Sequence, residues 1–199
     1  MKLNRPEEEM TYCMVKPDGV TRGLTGEIIR RMEQRGLKII AIEMVKPSHD
    51  EMDKHYPTDE KWIRRVGQKT LSTYEKYGYD ANEELGTNDD LEIGNMVRGW
   101  LIDFMVSAPV IKMVVQGVHA IDMVRKLSGH TIPSMADVGT IRGDYSMESA
   151  VSANKGKRAI MNLIHASETP EEAEHEIAHW FKPEQIHAFK SSAEWGLGA

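Results

Sequence analysis

Cysteine is almost missing from this chain. Cys13 is the single one among 199 residues, which excludes an internal disulfide and any cysteine-rich metal site. It lies inside an apolar run, where a buried and inert thiol is expected. Long hydrophobic runs are also missing: no eighteen consecutive apolar residues occur, so no transmembrane helix is expected. Met1 to Glu9 is polar and charged, without the apolar core of a signal peptide, and the expected location is cytoplasmic. Basic residues are not in excess. With 25 Lys and Arg against 31 Asp and Glu, the net charge of -6 argues against a dedicated nucleic-acid binder, leaving room only for a locally basic cleft. The common phosphate-loop signatures are absent: glycines at 19, 23 and 26 fit neither the P-loop nor Gly-x-Gly-x-x-Gly, and serve equally as turn and helix-packing residues. Zinc spacing is absent too. His175 and His179 are four apart on a helix, but no third ligand is evident, and a solvated face is expected there. There is no internal repeat and no low-complexity run.

What is present is ordinary for one globular core: 40% hydrophobic and 28% charged residues in 22.5 kDa. Thr11 to Val15 is β-prone and is stopped by Pro17 and Gly19, leaving Lys16 at its mouth. Leu24 to Arg35 carries apolar residues at helical spacing and closes on Gly36. Leu37 to Val45 reads as a second strand. Ser48 to Tyr56 reads as a short helix, with Ser48 as N-cap and Glu51 at N3. From Pro57 to about Asn95 the apolar period fades, which suggests an inserted excursion, partly helical around Trp62 to Lys76. Met96 to Val106 is helical, Val110 to Val115 a third strand, and Val118 to Leu127 a helix before Gly129. A proline-containing loop follows from His130 to Gly139. Gly139 to Asp144 reads as a tight turn, and Ser146 to Lys157 as a second loop excursion. A final buried strand around Ile160, Leu163 and Ile164 leads to a helix with Thr169 as N-cap, Pro170 at its first position and Glu172 at N3. The polar tail from Lys182 holds Phe189 and Trp195. This order reduces to β-α-β-β-α-β with extra helices, a ferredoxin-like α/β (α+β) sandwich on a four-stranded antiparallel sheet.

His165 falls at the exit of the last strand, and Glu176 lies at the margin of the following helix's apolar stripe, placed to turn back towards it. An imidazole with an orienting acid is what a nucleophile or general base needs, although a strand-end histidine is also a common structural residue. Cations sit at element ends and turns: Lys16, Arg125 and Arg142. Tyr56, Thr131, Ser167 and Asn162 fall near the same punctuations. Guanidinium groups suit bidentate phosphate contacts and lysine supplies a point charge, so phosphoryl transfer through a histidine is chemically sufficient with this set. Each cation taken alone reads more readily as a solvated surface charge.

The run Tyr12-Cys13-Met14-Val15-Lys16-Pro17-Asp18-Gly19-Val20, continuing through Arg22-Gly23-Leu24 and Gly26-Glu27-Ile28-Ile29, resembles the opening signature of nucleoside diphosphate kinases. So do His55-Tyr56, Ser107-Ala108-Pro109-Val110, Gly139-Thr140-Ile141-Arg142-Gly143-Asp144 and Asn162-Leu163-Ile164-His165-Ala166-Ser167, in the family's order. The resemblance implies ping-pong exchange of a γ-phosphate between nucleoside triphosphates, ATP among them, and diphosphates. The intermediate would be a phosphohistidine on His165, attacking through Nδ1. It implies Glu176 and Ser167 as the groups that orient the histidine, and Lys16, Tyr56, Arg125, Thr131, Arg142 and Asn162 as phosphate and ribose contacts. Val97 aligns with the residue expected to stack on the base. Mg2+ is expected to arrive on the nucleotide phosphates, with no metal site of the protein's own. The loop around Pro133 resembles the family's assembly loop and implies a homo-oligomer, hexamer or tetramer.

The chain departs from compact members at residues 57–95 and 146–157, read as insertions in a single domain spanning 1–199. Trp62 is a second candidate for the base, and Ala166 and Glu168 replace the usual Gly and Asp around the His-x-Ser core, with Glu168 placed to brace Arg125 or Arg142. Two other readings stay open: a non-catalytic oligomeric nucleotide-binding module, and a phosphohistidine-based protein phosphotransferase.

Overall fold

The computed structural model describes residues 8–190; Trp195 and the first seven residues lie outside the described residues. The chain begins with β1 (Glu8–Val15), whose last five residues are all buried. Strict alternation is absent because both faces are covered, the pattern expected of a central strand. Cys13 and Val15 enter one core with Ile28, Met32, Val124 and Ile141. Tyr12 and Met14 enter the other with Met52, Ile102, Met105 and Trp180. β1 pairs antiparallel with β3 (Val110–Val118) along its whole length, from Glu8 opposite Val118 to Val15 opposite Ile111. On its other side lies the short β4 (Ile164–Ala166), with Met14 opposite His165. β2 (Lys38–Val45) pairs with β3 through an irregularity between Ile39 and Ala41, giving the order β2-β3-β1-β4. The antiparallel four-stranded sheet with helices on both faces is the ferredoxin-like arrangement read from the sequence.

Helices α2 (Thr25–Gln34) and α7 (Ala120–Ser128) cover the first face; α3 (His49–His55) and α10 (Pro170–Trp180) cover the second. Ser48 and Glu51 form the expected capping box. At α10 the Thr169 hydroxyl accepts the Glu172 amide, but Glu172 returns to the Glu168 amide, one residue before the cap. The box is therefore displaced rather than closed on Thr169.

Several stretches differ from the sequence reading. Pro17, Asp18 and Gly19 open a one-turn helix, α1 (Pro17–Thr21), because proline at the first helical position needs no amide partner. The segment after Pro57 is more helical than read: α4 (Glu60–Lys76) contains the stretch expected around Trp62 to Lys76, α5 (Ala81–Leu85) was not expected, and α6 (Asp90–Val106) starts six residues before the helix expected from Met96, each capped by an aspartate at 59, 80 or 89. The fading apolar period has a physical reason. These helices pack on one another around a small separate cluster of Tyr74, Ala81 and Ile93, joined by Leu71, Leu85 and Val97. α4 and α6 meet where Gly67 lies against the Asp90 carbonyl and Gly94 against the Ile63 carbonyl, with no room for a Cβ on either. Glycine therefore marks close helix contact here, not a break. The turn expected at Gly139 to Asp144 is the short helix α8 (Ile141–Tyr145), capped by Thr140, and the second loop excursion contains α9 (Ala150–Lys155), capped by Ser149.

Candidate active site

The site is built on the entry to β4. Leu163 adopts a left-handed backbone, φ 69°, which costs a non-glycine residue roughly 1–2 kcal/mol and needs surrounding groups to hold it. Its amide donates to Asp18 Oδ2 at 3.0 Å, and its carbonyl accepts from the Lys16 amide at 2.9 Å. Arg142 clamps both sides of it. The guanidinium donates to the carbonyls of Asn162 at 3.1 Å, Ile164 at 2.7 Å and Gly129 at 2.7 Å. Much of this buried fork is therefore used to brace the backbone that presents His165. Burial pushes the Arg142 guanidinium down to about 10, so it stays charged at neutral pH.

The next residue along the strand after Ile164 is His165. Its Nε2 lies 2.7 Å from Glu176 Oε1, and the other carboxylate oxygen accepts from the Ser167 hydroxyl at 2.7 Å. A carboxylate can only accept, so the Nε2 proton is on the Glu176 side and neutral His165 keeps its Nδ1 lone pair free. Burial raises the Glu176 carboxyl, but the His165 imidazole, its hydrogen bond, His55 and Ser167 together hold it net below the usual range. Ser167 is fully buried behind Glu176, orienting the acid rather than facing the cavity.

His55, quoted in sequence only as half of a motif pair, stands edge-on to His165 with ring centroids 4.9 Å apart. Burial, then the neighbouring His165, pushes its pKa down to about 3, so it is a neutral ring at ordinary pH. Its Nδ1 accepts from the Trp180 indole at 3.3 Å. His55, His165 and Glu176 put donor atoms within 4.8 Å of one another. This set of two nitrogens and one carboxylate does not suit Mg2+, which prefers an octahedron of oxygens, and the histidine Nε2 is already committed to Glu176.

A cavity of about 460 Å³ opens over His165. Its walls gather Lys16, Tyr56, Arg125, Thr131, Arg142, Asn162 and Glu176 from distant parts of the chain. Lys16 Nζ donates to Asn162 Oδ1 at 2.8 Å, and Asn162 Nδ2 donates to the Thr131 carbonyl at 2.8 Å, tying three of these segments together. Burial, then Arg142, lowers Lys16 to about 8. Arg125 is exposed at the mouth and pairs with Glu168 at 3.2 Å; the carboxylate expected to brace Arg125 or Arg142 takes the former. Val97 is not in this wall. It packs into the small cluster between α4, α5 and α6, because the inserted helices cover that side of α6. Pro57, Trp62 and Glu172 line the cavity as well; of these, Trp62 is the aromatic read from the sequence as a second candidate for the base.

An imidazole with a free Nδ1, fixed by a carboxylate at the end of a ferredoxin-like sheet and faced by one lysine and two arginines, defines a class: α/β proteins that hold a polyphosphate against a histidine. Comparison with known proteins narrows the class. The family pattern described as nucleoside diphosphate kinase matches residues 9–63 and 95–186. A nucleoside diphosphate kinase of Pyrobaculum aerophilum is 47% identical over 178 residues, covering 89% of this chain and 97% of the relative. One from Pyrococcus furiosus is 37% identical over 189 residues, covering 95% and 92%. Among solved structures, an NDP kinase from Pyrobaculum aerophilum superposes with a TM-score of 0.89 at 44% identity, over 92% of this chain and all of that one. A Borrelia burgdorferi nucleoside-diphosphate kinase, described as a transition-state mimic with bound vanadate and ADP, gives 0.76 at 35% identity, over 95% and 96%. The chain belongs to the nucleoside diphosphate kinase family.

Proposed function

We propose that this protein transfers the γ-phosphate of ATP and other nucleoside triphosphates to nucleoside diphosphates, in two half-reactions joined by a phosphohistidine at His165. The observation that carries this reading is the Nε2 hydrogen bond from His165 to Glu176 at 2.7 Å, which leaves the Nδ1 lone pair as the nucleophile in a cavity that Lys16, Arg125 and Arg142 also line. In the first half-reaction the Nδ1 lone pair forms the N–P bond, and the β,γ-bridging P–O bond breaks with its electrons leaving on the diphosphate. The Nε2 proton stays in place, and Glu176 stabilises the positive charge that develops on the ring, while Ser167 holds Glu176. Lys16, Arg125 and Arg142 offset charge on the phosphate oxygens, an arrangement worth most in a site already organised for it. Tyr56, Thr131 and Asn162 are the further phosphate and ribose contacts. The second diphosphate reverses the same steps.

Mg2+ would enter as part of the substrate and would offset charge on its phosphates, alongside Lys16, Arg125 and Arg142. Assembly into a hexamer or tetramer belongs to this reading. Val138 and Met135 near Pro133, and Ile42 and Met44 on the outer strand β2, support it as exposed apolar residues. No described helix is long and apolar enough to cross a membrane. A cytoplasmic location is part of the proposal. The test is to label the protein with ATP and Mg2+, hydrolyse it in alkali and separate the phosphohistidine isomers. Phosphate on Nδ1 of residue 165 is expected; phosphate on Nε2, or on another residue, would contradict the mechanism.

A further inference from the structure

We propose that Asp18 is a positioning residue for phosphate transfer: its carboxylate holds the tight turn at Leu163 that carries His165 into the cavity. The inference rests on the reading of His165 as the nucleophile and adds a residue that acts on it without touching substrate.

The turn is strained. Leu163 has φ 69°, and the Ile164 amide donates back to the Asn162 carbonyl at 2.8 Å, closing a three-residue turn around it. Such a turn of this hand is rare and persists only where neighbouring groups hold it. The ladder between β1 and β4 begins at Ile164, so the Leu163 amide has no strand partner. Leu163 is fully buried, so that amide needs an acceptor from elsewhere in the chain. The acceptor is Asp18 Oδ2 at 3.0 Å, 145 residues away in sequence. The Leu163 carbonyl is held from the same side by the Lys16 amide at 2.9 Å. Gly19 lies so close that a Cβ on it would stand 2.9 Å from that carbonyl oxygen. Lys16, Asp18 and Gly19 thus close as a bracket on one residue, two positions before His165.

Asp18 itself does not line the cavity over His165; it faces a separate cleft with Arg22, Tyr145 and Met161. Its Oδ1 is buried without a hydrogen-bond partner among the described residues. Burial raises the Asp18 carboxyl, with Lys16 and the Leu163 amide pulling the other way. A carboxylate buried with one oxygen unpartnered is costly, and its place beside a strained turn ties that cost to the turn. Asp18 also favours the charge on Lys16, so a test has to separate the brace from the charge.

Wild type is compared with Asp18→Asn, Asp18→Ala and Asp18→Leu in three measurements. These are the maximal rate of His165 phosphorylation by ATP and Mg2+, the ATP concentration giving half that rate, and hydrogen exchange at the Leu163 amide. Asp18→Asn keeps an acceptor but loses the charge. It should stay within about threefold of the wild-type rate, with the amide still protected. Asp18→Ala should lose roughly ten- to a hundredfold in maximal rate, as for a reacting group misplaced by about 1 Å, with the half-saturating ATP little changed and exchange faster. Asp18→Leu keeps the branched bulk without an acceptor; it should behave as alanine does and serves if the alanine variant does not fold. Wild-type rates in the alanine and leucine variants would overturn the proposal, as would a loss confined to half-saturation. An asparagine variant as slow as alanine would overturn it too, because the charge on Lys16 would then be the cause. If the wild type is not phosphorylated at His165, the exchange pattern still reports the brace, so the two readings fail separately.

Discussion

A single buried lysine shows how this site trades stability for charge. Lys16 sits at the end of the central strand, and burial lowers it from 10.5 to about 8. Between those values the unfolded chain binds more protons than the folded one, so folding becomes more favourable as pH rises through that window; below about 8 the charged side chain costs stability in full. Lys16→Met should therefore raise the urea midpoint at pH 7 and flatten the rise in stability between pH 8 and 10.5, while abolishing phosphorylation of His165. An unchanged or lowered midpoint would show that Lys16 is stabilised by partners beyond Asn162. Glu176→Gln tests the other side of the cavity. It preserves the shape but removes the charge that favours a positive ring, and should lower kcat by roughly a hundredfold with little change in KM. A change in KM alone would make Glu176 a binding residue instead. At this scale the sequence was most legible where chemistry and spacing coincide: His165 and Glu176 are eleven apart, with a capped helix turn between them. It was least legible where the fold supplies the geometry. The left-handed Leu163 and the Arg142 clamp on three carbonyls follow from tertiary contacts, and no residue type announces them.

The helices show what periodicity reveals and what it hides. α2 and α7 each bury one stripe against a broad sheet, so their apolar spacing was plain. α4, α5 and α6 bury small areas against each other, with glycines at the closest approach, so the apolar spacing shows α4 only in part, gives the C-terminal two thirds of α6 and misses α5. α1 was hidden for another reason: proline, aspartate and glycine signal a turn, and the single helical turn they make differs little from one. The glycine crossing gives a direct prediction. Gly67→Ala would force its new methyl into the Asp90 carbonyl, and should destabilise the protein by about 1–3 kcal/mol in urea unfolding. A neutral effect would mean that α4 shifts freely over α6. Tyr74→Phe removes the donor to a buried carbonyl and should cost about 1 kcal/mol, with faster proteolytic cleavage around α9. Cleavage at the wild-type rate would show that α4 and α9 are not mechanically joined.

For the molecule as a whole, the sheet was legible because β1 and β3 are nearly continuous apolar runs, as strands covered on both faces must be. Convergence of Lys16, Arg125, Arg142 and Asn162 was not readable from spacing alone; it appears only when α7, α8 and β4 are folded against β1. The exposed apolar residues give the prediction at this scale. Sedimentation should find particles of four or six chains, and Val138→Asp together with Met135→Asp should reduce them to smaller species. A wild-type monomer would contradict the assembly proposed. The central claim is the relay through one imidazole, and it is tested most directly by following the phosphate. Wild type and His165→Ala are incubated with γ-labelled ATP and Mg2+, freed of nucleotide, and chased with GDP. The account predicts an acid-labile, base-stable label on the wild type alone, passing quantitatively to GTP. Label that persists in His165→Ala, or that leaves the wild type as free phosphate rather than GTP, would contradict it.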